Sequence, residues 1–145
     1  MGKLIIANDI LVQEVSRLVA EGSEVTFVPK GNSMLPFIRG GNDSVVLVKA
    51  DDVGVMDIVL ARANSTYVIH RVISMDGDEV VLMGDGNIAG VERCSRKEVL
   101  AKVAAIVKDG RRRDCMGGAH RIKARIWRGL LPLRRYLLAI YRRLT

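Results

Sequence analysis

The chain has 145 residues, 49% of them hydrophobic and 27% charged, which suits one domain with a real core and excludes a polar disordered chain. Its net charge of +7 is unevenly placed: residues 111–145 carry 11 Lys or Arg against one acid, Asp114, whereas residues 1–110 carry 12 bases and 15 acids. An anionic partner is therefore implied for the C-terminal segment alone.

The two cysteines, Cys94 and Cys115, form neither a CxxC pair nor a spacing with nearby His, so free thiols in a reducing compartment are expected and no metal site. Met1 to Ile6, followed by Asn8 and Asp9, is too short an apolar run and too soon acidic for a secretory signal. No run approaches the ~18 apolar residues of a spanning helix. The expected location is cytoplasmic.

In chain order, Asn8 and Asp9 can cap a helix in which Ile10, Leu11, Val15, Leu18 and Val19 share one face until Gly22 stops it. Glu24 to Val28, closed by Pro29, reads as a strand that delivers the stretch Gly31, Asn32, Ser33, Met34, Leu35, Pro36. Arg39 to Asp43 is a turn. Further strands are expected at Ser44 to Lys49, Ile58 to Ala61, Thr66 to Ser74, Glu79 to Met83 and Leu100 to Lys108, with Met75 to Asp78 as a hairpin turn. Many short strands with sharp turns predict a mainly β fold, a compact coiled sheet or barrel with a short N-terminal helix, over residues 1–109.

After Asp109 the character changes. Residues 110–119 read as a basic, glycine-containing linker, and residues 120–145 as a basic amphipathic helix. Its stripe is Ile122, Ile126, Leu130, Leu133, Leu137, Tyr141 and Leu144, edged by arginines and kinked or divided at Pro132. An apolar stripe flanked by long cations suits an anionic membrane surface better than nucleic acid or packing on the body.

Three stretches carry chemistry. A Ser hydroxyl is a poor nucleophile at neutral pH and needs a base to take its proton. Imidazole, with an ordinary pKa of ~6.5, suits that role, and a carboxylate on its far nitrogen fixes the tautomer. Ser33, His70 within Tyr67 to Val72, and Asp85 within Met83 to Asn87 supply the three groups. Strand alternation puts His70 on one face with Val68 and Val72, an apolar surface on which an imidazole must be functional or well paired. Taken singly, Ser33 is more simply a loop serine, His70 a satisfied histidine and Asp85 a turn former. The order and spacing of the three carry the signal.

Gly31 to Pro36 followed by an Arg-Gly turn, then V-I-H-R-V at Val68 to Val72, then M-G-D-G-N at Met83 to Asn87, resembles the three boxes of the signal peptidase I superfamily. It is most similar to the endoplasmic-reticulum and archaeal type, which has His where ordinary bacterial enzymes and self-cleaving SOS repressors have Lys. The resemblance spans roughly residues 25 to 107. It implies a mostly β peptidase fold, Ser33 as nucleophile, His70 as general base, no metal or cofactor, and cleavage after small residues of an extended peptide or protein substrate.

The sequence departs from that family in three places. No N-terminal membrane anchor is read. In the eukaryotic type the acid lies a few residues beyond the G-D-N box, where Gly90, Val91 and Glu92 stand, so Asp85 is expected as the third member with Glu92 as substitute. Gly31 replaces a hydroxyl that helps hold the oxyanion in bacterial relatives, which leaves that task to the Ser33 backbone, with Asn32 and Met34 as positioning residues. The leading expectation is a serine endopeptidase trimming a leader-like peptide, cytoplasmic or peripheral on the inner membrane face. The alternative is a regulatory or binding protein on the same fold, self-cleaving or inactive, with its basic tail on nucleic acid or an acidic partner.

Overall fold

The β-branched stretches form one curled sheet in a computed structural model, which describes residues 4–5, 9–88, 90–115 and 117–144. Asn8, Met116, Thr145 and most of the Met1 to Ile6 stretch lie outside the described residues. The described elements are β1 (Leu4–Ile5), α1 (Asp9–Ala20), β2 (Val25–Val28), β3 (Ser44–Val48), β4 (Ile58–Ala63), β5 (Thr66–Asp76), β6 (Glu79–Met83), β7 (Glu92–Ser95), β8 (Val99–Lys108), β9 (Arg111–Asp114), α2 (Gly118–Gly129) and α3 (Arg134–Leu144). The sheet runs β1-β2-β3-β8-β4-β5-β6-β7. Only β1 on β2 is parallel among these pairs. The fold is mainly β, a half-barrel with three short helices.

Alternation along β4 shows how the curl makes two cores. Ile58 and Leu60 point into one cluster with Phe27, Leu47 and the α1 residues Val12, Val15 and Val19. Val59, Ala61 and Ala63 point to the other side, against Val72, Val80 and Leu82. Helix α1 lies on the first cluster because its valines recur at three- and four-residue intervals. It ends where Gly22, at φ +99°, donates to the Val19 carbonyl and Ser23 donates to that of Leu18, a Schellman closure.

The segment expected as a linker at 110–119 is in part a strand. Asp109 and Gly110 take φ of +50° and +78°, the two left-handed residues of a tight hairpin, and β9 folds back on β8 with Lys108 opposite Arg111. Asp-Gly is a hairpin signal that three following arginines disguise. The expected single helix at 120–145 is two helices, α2 and α3, divided by a 3₁₀ turn at Leu131–Leu133 that contains Pro132.

Those helices pack on the body. Ala124, Arg134 and Leu138 are buried, while Ile122, Ile126, Leu133 and Leu144 from the expected stripe are exposed. The inward face was hidden in the sequence because Ala124 and Arg134 stand on it beside Leu138, off the apolar stripe that the spacing marks. Among the described residues no helix is long and apolar enough to cross a membrane.

The return of the chain from the Ser33 loop is pinned by Asp43, which is fully buried. Its carboxylate accepts from the Arg39 backbone N–H at 2.7 Å, the Arg39 Nη2 at 2.8 Å and Lys108 Nζ at 2.7 Å. Burial raises the Asp43 pKa, but the hydrogen bonds from Arg39 and Lys108 outweigh it and leave the carboxyl below its usual range. Asp43→Ala strips those donors of their partner and is expected to cost about 3 kcal/mol, read as a lower urea midpoint at unchanged slope.

Candidate active site

The Ser33 loop leaves β2 through Pro29 and turns at Gly31, whose φ of +84° favours glycine. Met34, Leu35 and Ile38 are buried as apolar pegs. The Met34 carbonyl accepts from the N–H groups of Phe37 and Ile38 at 2.9 Å, and that of Asn32 from the Leu35 N–H at 3.2 Å. Ser33 is thus carried on a turn with little freedom to move.

The Gly84 to Asn87 turn presses against this loop from outside. The Gly86 N–H donates to the Ser33 carbonyl at 2.7 Å, and the Asp85 N–H contacts Met34 Sδ at 3.4 Å. A Cβ on Gly86 would stand 2.6 Å from the Asn32 carbonyl oxygen, so the close approach requires glycine. This packing is the physical content of the M-G-D-G-N stretch.

His70, on β5, is 6% exposed and places Nε2 3.0 Å from Ser33 Oγ. Its Nδ1 is hydrogen-bonded to a carboxylate oxygen of Glu92, at the start of β7. An ionised carboxylate only accepts, so Nδ1 carries the proton and Nε2 presents a lone pair to the serine hydroxyl. Serine, imidazole and carboxylate form one chain of hydrogen bonds.

The carboxylate in that chain is Glu92 and not Asp85, which corrects the sequence expectation. Asp85 accepts from Arg71 Nε and Nη2, both at 2.8 Å, with both side chains almost fully buried. Arg71 follows His70 on β5 and therefore points to the opposite face. Arg71 also donates to the Met56 carbonyl at 2.7 Å, and Met56 holds φ at +82°, costly for a non-glycine residue. Of the expected positioning residues, Met34 is a buried peg under the loop and Asn32 an exposed loop residue. The Ser33 N–H has no hydrogen-bond partner among the described residues.

In front of Ser33 and His70 opens a cavity of about 240 Å³, floored by Val12, Phe27, Met34, Ile38 and Leu60 and bordered by Tyr67 to His70. Strand β6 pairs with β5 only from Arg71 onward, so the outer edge of Thr66 to His70 has no strand partner among the described residues. Among the described residues no cluster of His, Cys, Asp or Glu is suited to hold a metal ion, and Cys94 and Cys115 are buried and unpaired with each other. Burial pushes the Cys115 thiol pKa up to about 12, which makes it a poor nucleophile.

Helices α2 and α3 reach the back of this site. Trp127 Nε1 donates to the Asp85 carbonyl at 2.7 Å, and Arg134 Nη1 to that of Asn87 at 2.9 Å. The His120 ring stands edge-on to Phe37 with centroids 5.4 Å apart, and Arg71 Nη1 lies 3.3 Å from His120 Nε2. Burial, and then the charges of Arg71, Lys123 and Arg121, hold the His120 pKa down at about 4. Sequence reasoning missed these contacts because a lone Trp and a lone His carry no spacing signal. Glu92 stood in reserve only, since E-R-C-S is too short for periodicity to mark a strand.

No protein-family model matches the chain, and a search of curated proteins finds no match.

Asp85→Ala leaves a buried guanidinium unpaired and is expected to cost about 3–5 kcal/mol, whereas Glu92→Gln, at a partly open position, costs under about 1 kcal/mol; urea denaturation of the two variants tests the contrast. Because the folded His120 pKa lies below the ordinary 6.5, the unfolded chain binds this proton first. The stability it confers is present above pH 6.5 and lost progressively as pH falls toward 4. His120→Gln removes that component, so the variant is expected to lose less stability than the wild type between those two pH values, as read by chemical denaturation.

Proposed function

We propose that the chain is a serine endopeptidase of signal-peptidase-like type, with Ser33 as nucleophile, His70 as general base and Glu92 as the carboxylate that orients the imidazole. The observation that carries this reading is the Ser33 Oγ–His70 Nε2 contact of 3.0 Å, with Glu92 on the far nitrogen and an apolar cavity in front. A serine and histidine that were merely core residues would have no need of a third, correctly placed acceptor or of an open cleft.

In this mechanism Ser33 Oγ attacks the scissile carbonyl carbon while its proton passes to His70 Nε2. The new imidazolium is stabilised by Glu92. The carbonyl oxygen becomes an oxyanion that the Ser33 N–H, otherwise without a partner among the described residues, can receive. His70 then gives its proton to the departing amine as the C–N bond breaks, which leaves an ester on Ser33. Water attacks that ester, loses a proton to His70, and the proton returns to Ser33 Oγ as the acid product leaves.

The substrate is an extended peptide. It adds as a strand along the open edge of β5 at Tyr67 to Ile69, where its backbone finds the donors and acceptors that β6 leaves free. Its side chain before the cut enters the apolar cavity, which selects against charged residues there.

Incubation of the wild type with a proteome-derived peptide library, with new termini read by mass spectrometry, is expected to give cleavages after uncharged residues. Ser33→Ala and His70→Ala abolish them, and Glu92→Gln lowers kcat by about 10²–10⁴. Cleavages that persist unchanged in Ser33→Ala, or a wild type that cuts nothing in the library, would sink the reading.

A further inference from the structure

The successive helices α2 and α3 each have two sides of opposite character. One, with Ala124, Trp127, Arg134 and Leu138, rests on the body. The other presents Ile122 and Ile126 at 59% exposure each, Tyr136 at 64%, Ile140 at 56% and Leu144 at 81%. Spacings of four residues keep Ile122 with Ile126, and Tyr136 with Ile140 and Leu144, on one side of their helices. So many large apolar side chains on the outward sides of two successive helices mark an interaction surface.

Charge decides what fits it. Residues 115–145 hold eight Lys or Arg and no Asp or Glu. Lys123, Arg125, Arg135, Arg142 and Arg143 are exposed and make no ion pair with another described residue. A second copy of this face would bring like charges together, which disfavours self-association. Nucleic acid offers phosphates but no apolar phase for isoleucine and leucine. An anionic bilayer offers both, phosphates at the depth of the guanidinium groups and acyl chains just below.

We propose that the outer face of α2–α3 docks on an anionic lipid bilayer, with Ile122, Ile126, Tyr136, Ile140 and Leu144 entering the boundary between headgroups and acyl chains and the flanking cations on lipid phosphates. The docked layer is one helix thick, about 10 Å, and its inner side touches Arg71, Asp85 and Asn87. The bilayer therefore lies close behind the elements that hold His70. This surface is independent of the chemistry of Ser33.

Sedimentation of the full chain with vesicles tests it. Mixed phosphatidylcholine–phosphatidylglycerol vesicles are expected to bind at least about tenfold more tightly than phosphatidylcholine alone, with part of the binding surviving high salt because apolar insertion is not screened. Ile126→Glu with Tyr136→Glu and Ile140→Glu, all at exposed positions, should lower binding to mixed vesicles by more than about tenfold while the circular dichroism stays that of the wild type. Arg125→Gln with Arg142→Gln and Arg143→Gln should lose the preference for anionic lipid at about fivefold per cation. Equal binding to both vesicle types, no binding to either, or vesicle binding that the glutamate variant retains would overturn the proposal. So would a preference for short duplex DNA or polyglutamate over mixed vesicles. Peptide cleavage measured without vesicles reads the Ser33 chemistry separately, so loss of one leaves the other standing.

Discussion

The Arg71–Asp85 pair is the contact on which the rest of the site depends. It joins the strand carrying His70 to the turn that presses on the Ser33 loop, and it does so out of water, where an unpaired guanidinium or carboxylate would be strongly unfavourable. Everything around it serves to complete its hydrogen bonds. The Met56 carbonyl, held in a left-handed conformation, takes a third Arg71 proton; the Phe37 ring lies 4.9 Å from the guanidinium carbon; and His120 closes the remaining side. A pair this demanding in geometry offers little net stability over an apolar replacement, but it fixes the relative position of two segments to a single arrangement. That is what the chain from Ser33 through His70 to Glu92 requires.

Adjacent residues on β5 divide the work by strand alternation. His70 faces the cleft and Arg71 the opposite side, so one strand both presents an imidazole and anchors the scaffold behind it. The same logic explains why the two acids have different tasks. Asp85 lies on the Arg71 side and is structural, while Glu92 comes in on β7 from the His70 side.

Much of the framework was legible in the residues. The strands at 25–28, 44–48, 58–63, 66–76, 79–83 and 99–108 stand within two residues of where β-branched runs and turn chemistry put them at nearly every end. The meeting of Ser33 and His70 was expected from the order and spacing of the three motif stretches and from the family resemblance they carry. What could not be read depended on contacts between distant segments. Asp85 and Glu92 are both acids in a polar stretch, and only the face on which each arrives tells them apart. The basic run at 111–114 looks like a solvated linker until the Asp-Gly reversal sets it beside β8. The inward side of the two helices was misplaced because Ala124 and a buried Arg134 stand on it beside Leu138, and the bond from Arg134 to the Asn87 carbonyl joins segments far apart in sequence.

The β8–β9 hairpin also shortens the leash on the helices. Asp114 is still paired with Ala105, the Cys115 N–H donates to the Ala104 carbonyl, and α2 begins at Gly118. With so few residues between sheet and helix, α2 meets its seat at an effective concentration on the order of millimolar or above. Contacts that would be far too weak to hold a free peptide can therefore keep these helices in place. The same segment supplied as a separate molecule would have to be present at comparable concentration to occupy the seat.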